Sequence, residues 1–404
     1  MKKFLFLVQF VLPCLLMLTA CSCMTDQDIH MYQTISIPVV KTTFTNEELL
    51  ADYDQCWEIL EENYPFFPVL EKHGIDVQGV KESYRQTLMD RVTDVNGFFV
   101  LLQQMFGSME NFAHLSVMDQ GIYQLLSYYG EAGDPYFDPQ TAATYAALPE
   151  VVAGDGDQPG KEVEANYYAH LKAAYFHFRT FAYPHVESED SVVGAYLAQL
   201  EEENLPVEHV IIDITGNSGG NSWNVDQDII APLGGGTWKN TIYFADSPIN
   251  REWLIPALDT APKPLTGAST EPAFTKELGM THSWTFTMEY PSAEKIYAEG
   301  AQRWLLIDES CYSASESFIG FCKKSGWATI VGRRGRGDGD LLGSLPAHLD
   351  QTGLLIRFST TSRANADGTL NAEKGETPDY LCKPNESPLR KCMELIQAEV
   401  GDGE

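Results

Sequence analysis

The stretch Cys311-Tyr312-Ser313-Ala314-Ser315-Glu316-Ser317-Phe318 follows the apolar run Trp304-Leu305-Leu306-Ile307 and opens a segment of helical spacing. A strand that turns directly into a helix at a serine can lift the hydroxyl into a cleft, with the helix N-terminus beside it favouring developing negative charge. The same serine also suits an N-cap, where its side chain would only satisfy a helix amide. The residues on either side must decide between a nucleophile and a cap.

Working outward, Tyr175 to Phe181, His209 to Ile214, Ala328 to Val331 and Leu354 to Phe358 are further short β-rich runs. Helical stretches at Asp190 to Glu202 and Ala314 to Lys324 lie between them, which predicts an α/β core. Upstream the pattern is helical. Thr45-Asn46-Glu47-Glu48 is a capping-box sequence, and Leu49, Tyr53, Trp57, Leu60 and Tyr64 recur at helical spacing until Pro65. Further helices are expected near Val80 to Val92 and Val95 to Met105. These patterns divide the chain into a lead segment at 21–43, a small helical domain at 44–118, a linker region at 119–165 and an α/β domain at 166–404. An aromatic- and Pro-rich excursion at about 234–295 reads as a lid or substrate-side insertion.

Residues 1–20 carry Lys2 and Lys3 and then the apolar run Phe4 to Leu18, and Leu18-Thr19-Ala20 precedes Cys21. This is a secretory-signal pattern, too short to span a membrane. A cysteine in that place resembles the bacterial lipobox, which implies a lipid on Cys21 and an extracytoplasmic, membrane-anchored mature protein. The signal holds two lysines and no acids, so its removal takes the formal charge from −30 to −32. So acidic a body argues against nucleic acid and anionic lipid surfaces as partners. Of the remaining cysteines, Cys382 and Cys392 are the first suspects for a disulfide, and no Cys/His spacing suggests zinc or another metal. No cofactor motif is evident. Asp213-Ile214-Thr215-Gly216-Asn217-Ser218-Gly219-Gly220 follows a buried strand, and its paired glycines allow close backbone approach to a ligand; without a following Lys it is no P-loop.

The order of these motifs, from the strand at Tyr175 through the Asp213 to Gly220 turn and the Ser313-Ala314-Ser315-Glu316 elbow to Gly326-Trp327-Ala328-Thr329-Ile330-Val331-Gly332, resembles the C-terminal-processing and tricorn-type serine peptidases. Tyr53 to Trp57 and Glu62 to Pro65 resemble that family's first helix. The resemblance implies a crotonase-like α/β core and peptide hydrolysis through an acyl-enzyme. It implies Ser313 as nucleophile, with the amides of Ala314 and Gly219 as oxyanion hole. Thr215 stands where the family usually has Arg. The tail-specific branch takes its base from a Lys in a Gly-Lys-Gly turn; here that turn reads Gly337-Asp338-Gly339, and an ionised Asp is a poor base. The tricorn-like branch uses a histidine from the helical domain, which implies His114 in Met109-Glu110-Asn111-Phe112-Ala113-His114. Its late orienting carboxylate implies Glu373, with Glu376 as runner-up. The interval 119–165 is too short for a PDZ module. Cys311 is a possible but less suitable nucleophile, and Arg333, Arg334 and Arg336 form a basic island that suits either a solvated loop or a substrate carboxylate. The function expected is a tethered serine peptidase acting on peptides or proteins. An inactive relative that binds peptides or cell-wall fragments, and an esterase or acyltransferase on the same serine, are the alternatives.

Overall fold

The computed structural model describes residues 40–129, 138–149, 163–184, 186–339, 342 and 344–401. The signal, Cys21 and the lead segment lie outside them. The core is a six-stranded sheet in the order Tyr380–Leu381, Thr329–Gly332, Gln302–Ile307, His209–Asp213, Ala173–Phe178 and Val163–Tyr168. All neighbours pair in parallel except the last two, which are antiparallel. All five residues of His209–Asp213 are buried, as a parallel strand covered on both faces requires. On one face Phe176, Ile212, Leu305 and Ile330 pack against Val193 and Leu197 of helix Val192–Glu202 and against Phe318, Ile319 and Cys322 of helix Ala314–Ser325. On the other, Ile211, Trp304, Leu306 and Val331 pack against Cys392 and Ile396 of helix Pro388–Gly401. The expected α/β core is present.

The N-terminal helices Asn46–Asn63, Val77–Arg91 and Val95–Ser108 form where periodicity places them, the first closed by the Thr45/Glu48 capping box. They do not close a core of their own. Strand Ser116–Val117 pairs antiparallel with Leu355–Phe358, which in turn pairs with Leu345–His348, and residues of both chain regions share one apolar cluster. Buried Asp52 ties the same regions together, accepting from Gln351 N–H at 2.8 Å, Thr352 N–H at 2.7 Å and the Thr352 hydroxyl at 2.6 Å.

Two sequence readings need correction. The interval read as a linker contains helices Gln120–Tyr129 and Pro139–Ala147, the second capped by Asp138. Its buried face is Thr141, Thr144 and Tyr145, residues that carry little hydropathy signal. The excursion at 234–295 is not a free lid. Gly236–Phe244, His282–Tyr290 and Lys263–Pro264 build an antiparallel sheet with Thr361–Arg363, with Trp238 and Trp284 buried beneath it. The five described cysteines, Cys382 and Cys392 among them, are unpaired and buried.

Candidate active site

Ser313 sits at the N-terminus of helix Ala314–Ser325 with φ 55° and ψ −119°, and its side chain makes no capping hydrogen bond. A β-carbon residue in that region is strained, so the elbow is held from outside. Arg336 N–H donates to Cys311 O at 2.6 Å and Ser313 N–H to Gly337 O at 3.3 Å, so the loop at 333–339 runs alongside the turn. Cys311 is fully buried and its thiol is pushed well above the usual range by desolvation, which removes it as a nucleophile.

The Ser313 hydroxyl meets His114 Nε2 at 2.9 Å. His114 comes from the end of the helical region, in a run of left-handed residues comprising Glu110, Asn111, Ala113 and His114. Three contacts pin this costly backbone: Tyr64 O–H donates to Phe112 O at 2.8 Å, Ser359 N–H to Ala113 O at 2.8 Å, and His114 N–H to the Tyr312 hydroxyl at 2.9 Å. The residue before the serine thus holds the backbone of the histidine.

On the far side of the imidazole, Nδ1 is set against Asp338 Oδ2. That oxygen also accepts from Tyr312 O–H at 2.9 Å and Ser359 O–H at 3.1 Å, while Ser359 Oγ lies 3.2 Å from Nδ1. The His114 side chain is 11% exposed and that of Asp338 1%. A carboxylate against Nδ1 fixes the tautomer with its proton there and leaves the Nε2 lone pair facing the serine. Asp338 Oδ1 is buried with no hydrogen-bond partner among the described residues. Tyr312 is held protonated, its phenol raised well above the ordinary value by burial and by Asp338.

Glu373, the carboxylate implied by the resemblance, is not at the imidazole. It pairs with Lys72 at 2.6 Å. Glu376, the runner-up, faces Arg363 at 3.4 Å and is fully buried. The glycine-rich loop at 335–339 intervenes. Added β-carbons at Gly337 and Gly375 would strike Asn371 O and Gly335 O, and Gly339 N–H donates to the Asn371 side chain at 2.9 Å. With backbone packed that closely, the 371–376 segment lies behind the loop and Asp338 takes the place beside His114. In the sequence Asp338 stands at the place of the tail-specific branch's lysine base, where an ionised Asp is a poor base. The signal available was an acid between two glycines in a chain that also supplies a histidine.

The turn at Asp213 to Gly220 abuts the elbow. A β-carbon on Gly219, whose φ is 105°, would come within 2.7 Å of Tyr312 O and 3.1 Å of Ala314 N. Only glycine allows that approach. The Gly219 amide itself is already bound, however, donating to Asn217 Oδ1 at 2.8 Å. Ala314 N–H and Gly220 N–H have no acceptor among the described residues. The support that an Arg would give the turn is supplied by Asp213, which accepts from Thr215 N–H at 2.9 Å and the Thr215 hydroxyl at 2.7 Å. Behind the site, fully buried Arg363 donates to Gly339 O and to Glu316 O, each at 3.1 Å, and so joins the Asp338 loop to the serine helix. Burial pushes the Glu316 carboxyl up to about 7. Of the basic island, Arg333 and Arg334 pair with Glu309 and Asp367, and Arg336 lies over the Tyr312 ring at 5.3 Å. A cavity of about 140 Å³ opens there between Ala113, Tyr312, Arg336 and Glu110.

No curated protein matches the chain. Among solved structures, a candidate peptidase from Parabacteroides merdae is 15% identical with TM-score 0.51, covering 87% of this chain and 97% of that one. Mature CPAF complexed with lactacystin is 12% identical with TM-score 0.51, at the same coverage. These likenesses concern the fold. The model of the tricorn protease C1 domain matches residues 45–107, and that of peptidase family S41 matches residues 172–382, more than half of the 404. The chain accordingly belongs to peptidase family S41 and is a serine-type peptidase.

Proposed function

We propose that the protein hydrolyses peptide bonds through an acyl-enzyme on Ser313, with His114 as general base and Asp338 as the carboxylate that orients it. The observation that carries this reading is the unbroken line from Ser313 Oγ to His114 Nε2 at 2.9 Å and from His114 Nδ1 to Asp338. As Oγ attacks the substrate carbonyl, its proton passes to Nε2 and the imidazolium is stabilised by Asp338. Nε2 then returns the proton to the leaving amine, and a water repeats the sequence on the acyl-enzyme. The tetrahedral oxyanion is received by Ala314 N–H and by a donor of the glycine pair. Gly219, which packs against Ser313 and Ala314, supplies that donor once Asn217 yields its N–H.

The test is labelling of the protein lacking residues 1–20 with a fluorophosphonate, with the modified residue read by mass spectrometry. Labelling at Ser313 that is lost in Ser313→Ala and His114→Ala supports the mechanism. A folded wild type that does not label would favour a peptide-binding relative instead. We further propose that Cys21 is lipidated and that the enzyme works outside the cytoplasm on a bacterial membrane. Full-length protein that stays in the soluble fraction as much as its Cys21→Ala variant would count against the anchor.

A further inference from the structure

The chain has 57 acidic residues against 27 lysines and arginines, so a carboxylate is within reach of most of its guanidinium groups. Arg85, Arg179, Arg251, Arg333, Arg334 and Arg363 all hold one. Arg357 does not. It is partly buried on strand Leu355–Phe358, opposite Ser116 in the antiparallel register. Its Nε donates to Ser116 Oγ at 3.1 Å, and Ser116 Oγ donates in turn to His114 O at 3.0 Å. Its terminal amines Nη1 and Nη2 have no hydrogen bond or ion pair among the described residues. Desolvation lowers this guanidinium's pKa, and Tyr312, Asp119 and Asp338, none of which bonds to it, raise it only in part, whereas a directly bonded acid raises those of Arg85, Arg179, Arg251 and Arg333.

The position of Arg357 gives this vacancy a use. Strand alternation puts Arg357 and Ser359 on one face about 7 Å apart, and Ser359 is the residue whose hydroxyl touches both Asp338 and the His114 ring. We propose that Arg357 is a specificity-determining residue, its two terminal amines binding a carboxylate of the peptide substrate about one strand repeat from the catalytic histidine. The inference rests on the peptidase reading above and names a substrate class for the same site. A guanidinium receives a carboxylate through two parallel bonds, a geometry that a lysine reproduces only as a point charge. The carboxylate is either the peptide's C-terminus or an Asp or Glu side chain.

The experiment uses three degenerate hexapeptide libraries: one with free C-termini, the same one amidated, and one amidated and lacking Asp and Glu. Each is passed over immobilised Ser313→Ala protein and, separately, incubated with active enzyme, and peptides are read by mass spectrometry. Retention reads the anion site, and cleavage reads the peptidase. The expected result is a roughly 10- to 100-fold enrichment of carboxylate-bearing peptides on the Ser313→Ala protein, the range that one charged hydrogen-bonded pair supplies. Loss of enrichment on amidation alone identifies the C-terminus as the source, and loss only in the third library identifies an acidic side chain. Adding Arg357→Gln must abolish the preference, and adding Arg357→Lys must keep part of it. Equal retention of all three libraries, or a preference that survives Arg357→Gln, overturns the proposal whether or not any bond is cleaved. Absence of cleavage with the preference intact would instead refute the peptidase reading alone.

Discussion

Replacing Asp338 by Asn changes one oxygen for an NH₂ group of nearly the same size, which isolates the charge. Three donors converge on Oδ2, namely His114 Nδ1–H, Tyr312 O–H and Ser359 O–H. If the amide turns its nitrogen toward them, donor faces donor and the imidazole is driven to the tautomer that presents N–H to the serine. If it turns its oxygen toward them, the bonds survive as neutral ones, and the NH₂ group occupies the Oδ1 position, which has no partner among the described residues. Bonds to an ionised acceptor contribute about 1.5–3 kcal/mol against about 1 kcal/mol for neutral ones. Either orientation therefore withdraws about 3–5 kcal/mol from the imidazolium-like transition state, or about 10²–10⁴ in rate. The assay is the second-order rate constant for fluorophosphonate labelling of Ser313 at neutral pH, with peptide cleavage in parallel and a melting curve to show that the fold is intact. Glu373→Gln is the control. It breaks an ion pair to a half-exposed Lys72 and should leave the rate within about twofold of wild type. An Asp338→Asn enzyme that labels at the wild-type rate, or a Glu373→Gln enzyme that falls as far as Asp338→Asn is expected to, would refute the assignment.

Two further outcomes concern the scaffold. Arg363→Met strips the fully buried Glu316 and Glu376 of their counter-charge, which should destabilise the fold by about 3–5 kcal/mol and lower the melting temperature by roughly 10 °C. The loss should shrink between pH 8 and pH 5 as the Glu316 carboxyl, pushed up to about 7 by burial, protonates, and a melting point within 2 °C of wild type at pH 8, on the order of what a surface change would give, would contradict it. Asp226 is partly exposed in the chain, yet burial alone pushes its carboxyl up to about 8. The folded state thus holds this proton more tightly than the unfolded one, and stability is lost as pH rises from the unfolded value near 4 through 8. Asp226→Asn removes that dependence, so its stability advantage should grow from pH 5 to pH 8. Denaturant titrations showing an advantage that does not change with pH would rule this out.

What the sequence made legible follows from how locally each feature is encoded. The parallel strands read as continuous apolar runs because both of their faces are covered, and the helix start at Thr45 follows from a capping box within four residues. Ser313 is ambiguous between cap and nucleophile from its neighbours, and in the structure its side chain makes no capping bond. The helix Pro139–Ala147 escaped notice because Thr and Tyr form its buried face. The shared core of the N-terminal helices and the strand at 355–358 escaped because no pattern in one segment specifies a partner some 240 residues away.

The misplaced carboxylate has a different origin. Glu373 and Asp338 are both acids downstream of the serine, and which one meets the imidazole depends on which of two closely stacked backbones lies nearer the cleft. That is decided by Gly337 and Gly375, whose missing side chains let the two segments touch, while Gly335 and Gly339 make the same room against Cys311 and Glu316. The charge at 338 then follows from the base. A lysine there would have to act directly on the serine as a neutral amine, and beside a histidine it would oppose the imidazolium that forms during attack. An aspartate there is useless as a base on its own but lowers the energy of that imidazolium once a histidine stands between it and the serine. His114 and Asp338 are therefore a coupled pair, each chemically sensible only in the presence of the other. The aspartate in the Gly-Asp-Gly turn, which argued against a Ser-Lys dyad, is the same fact as the histidine that argued for a triad.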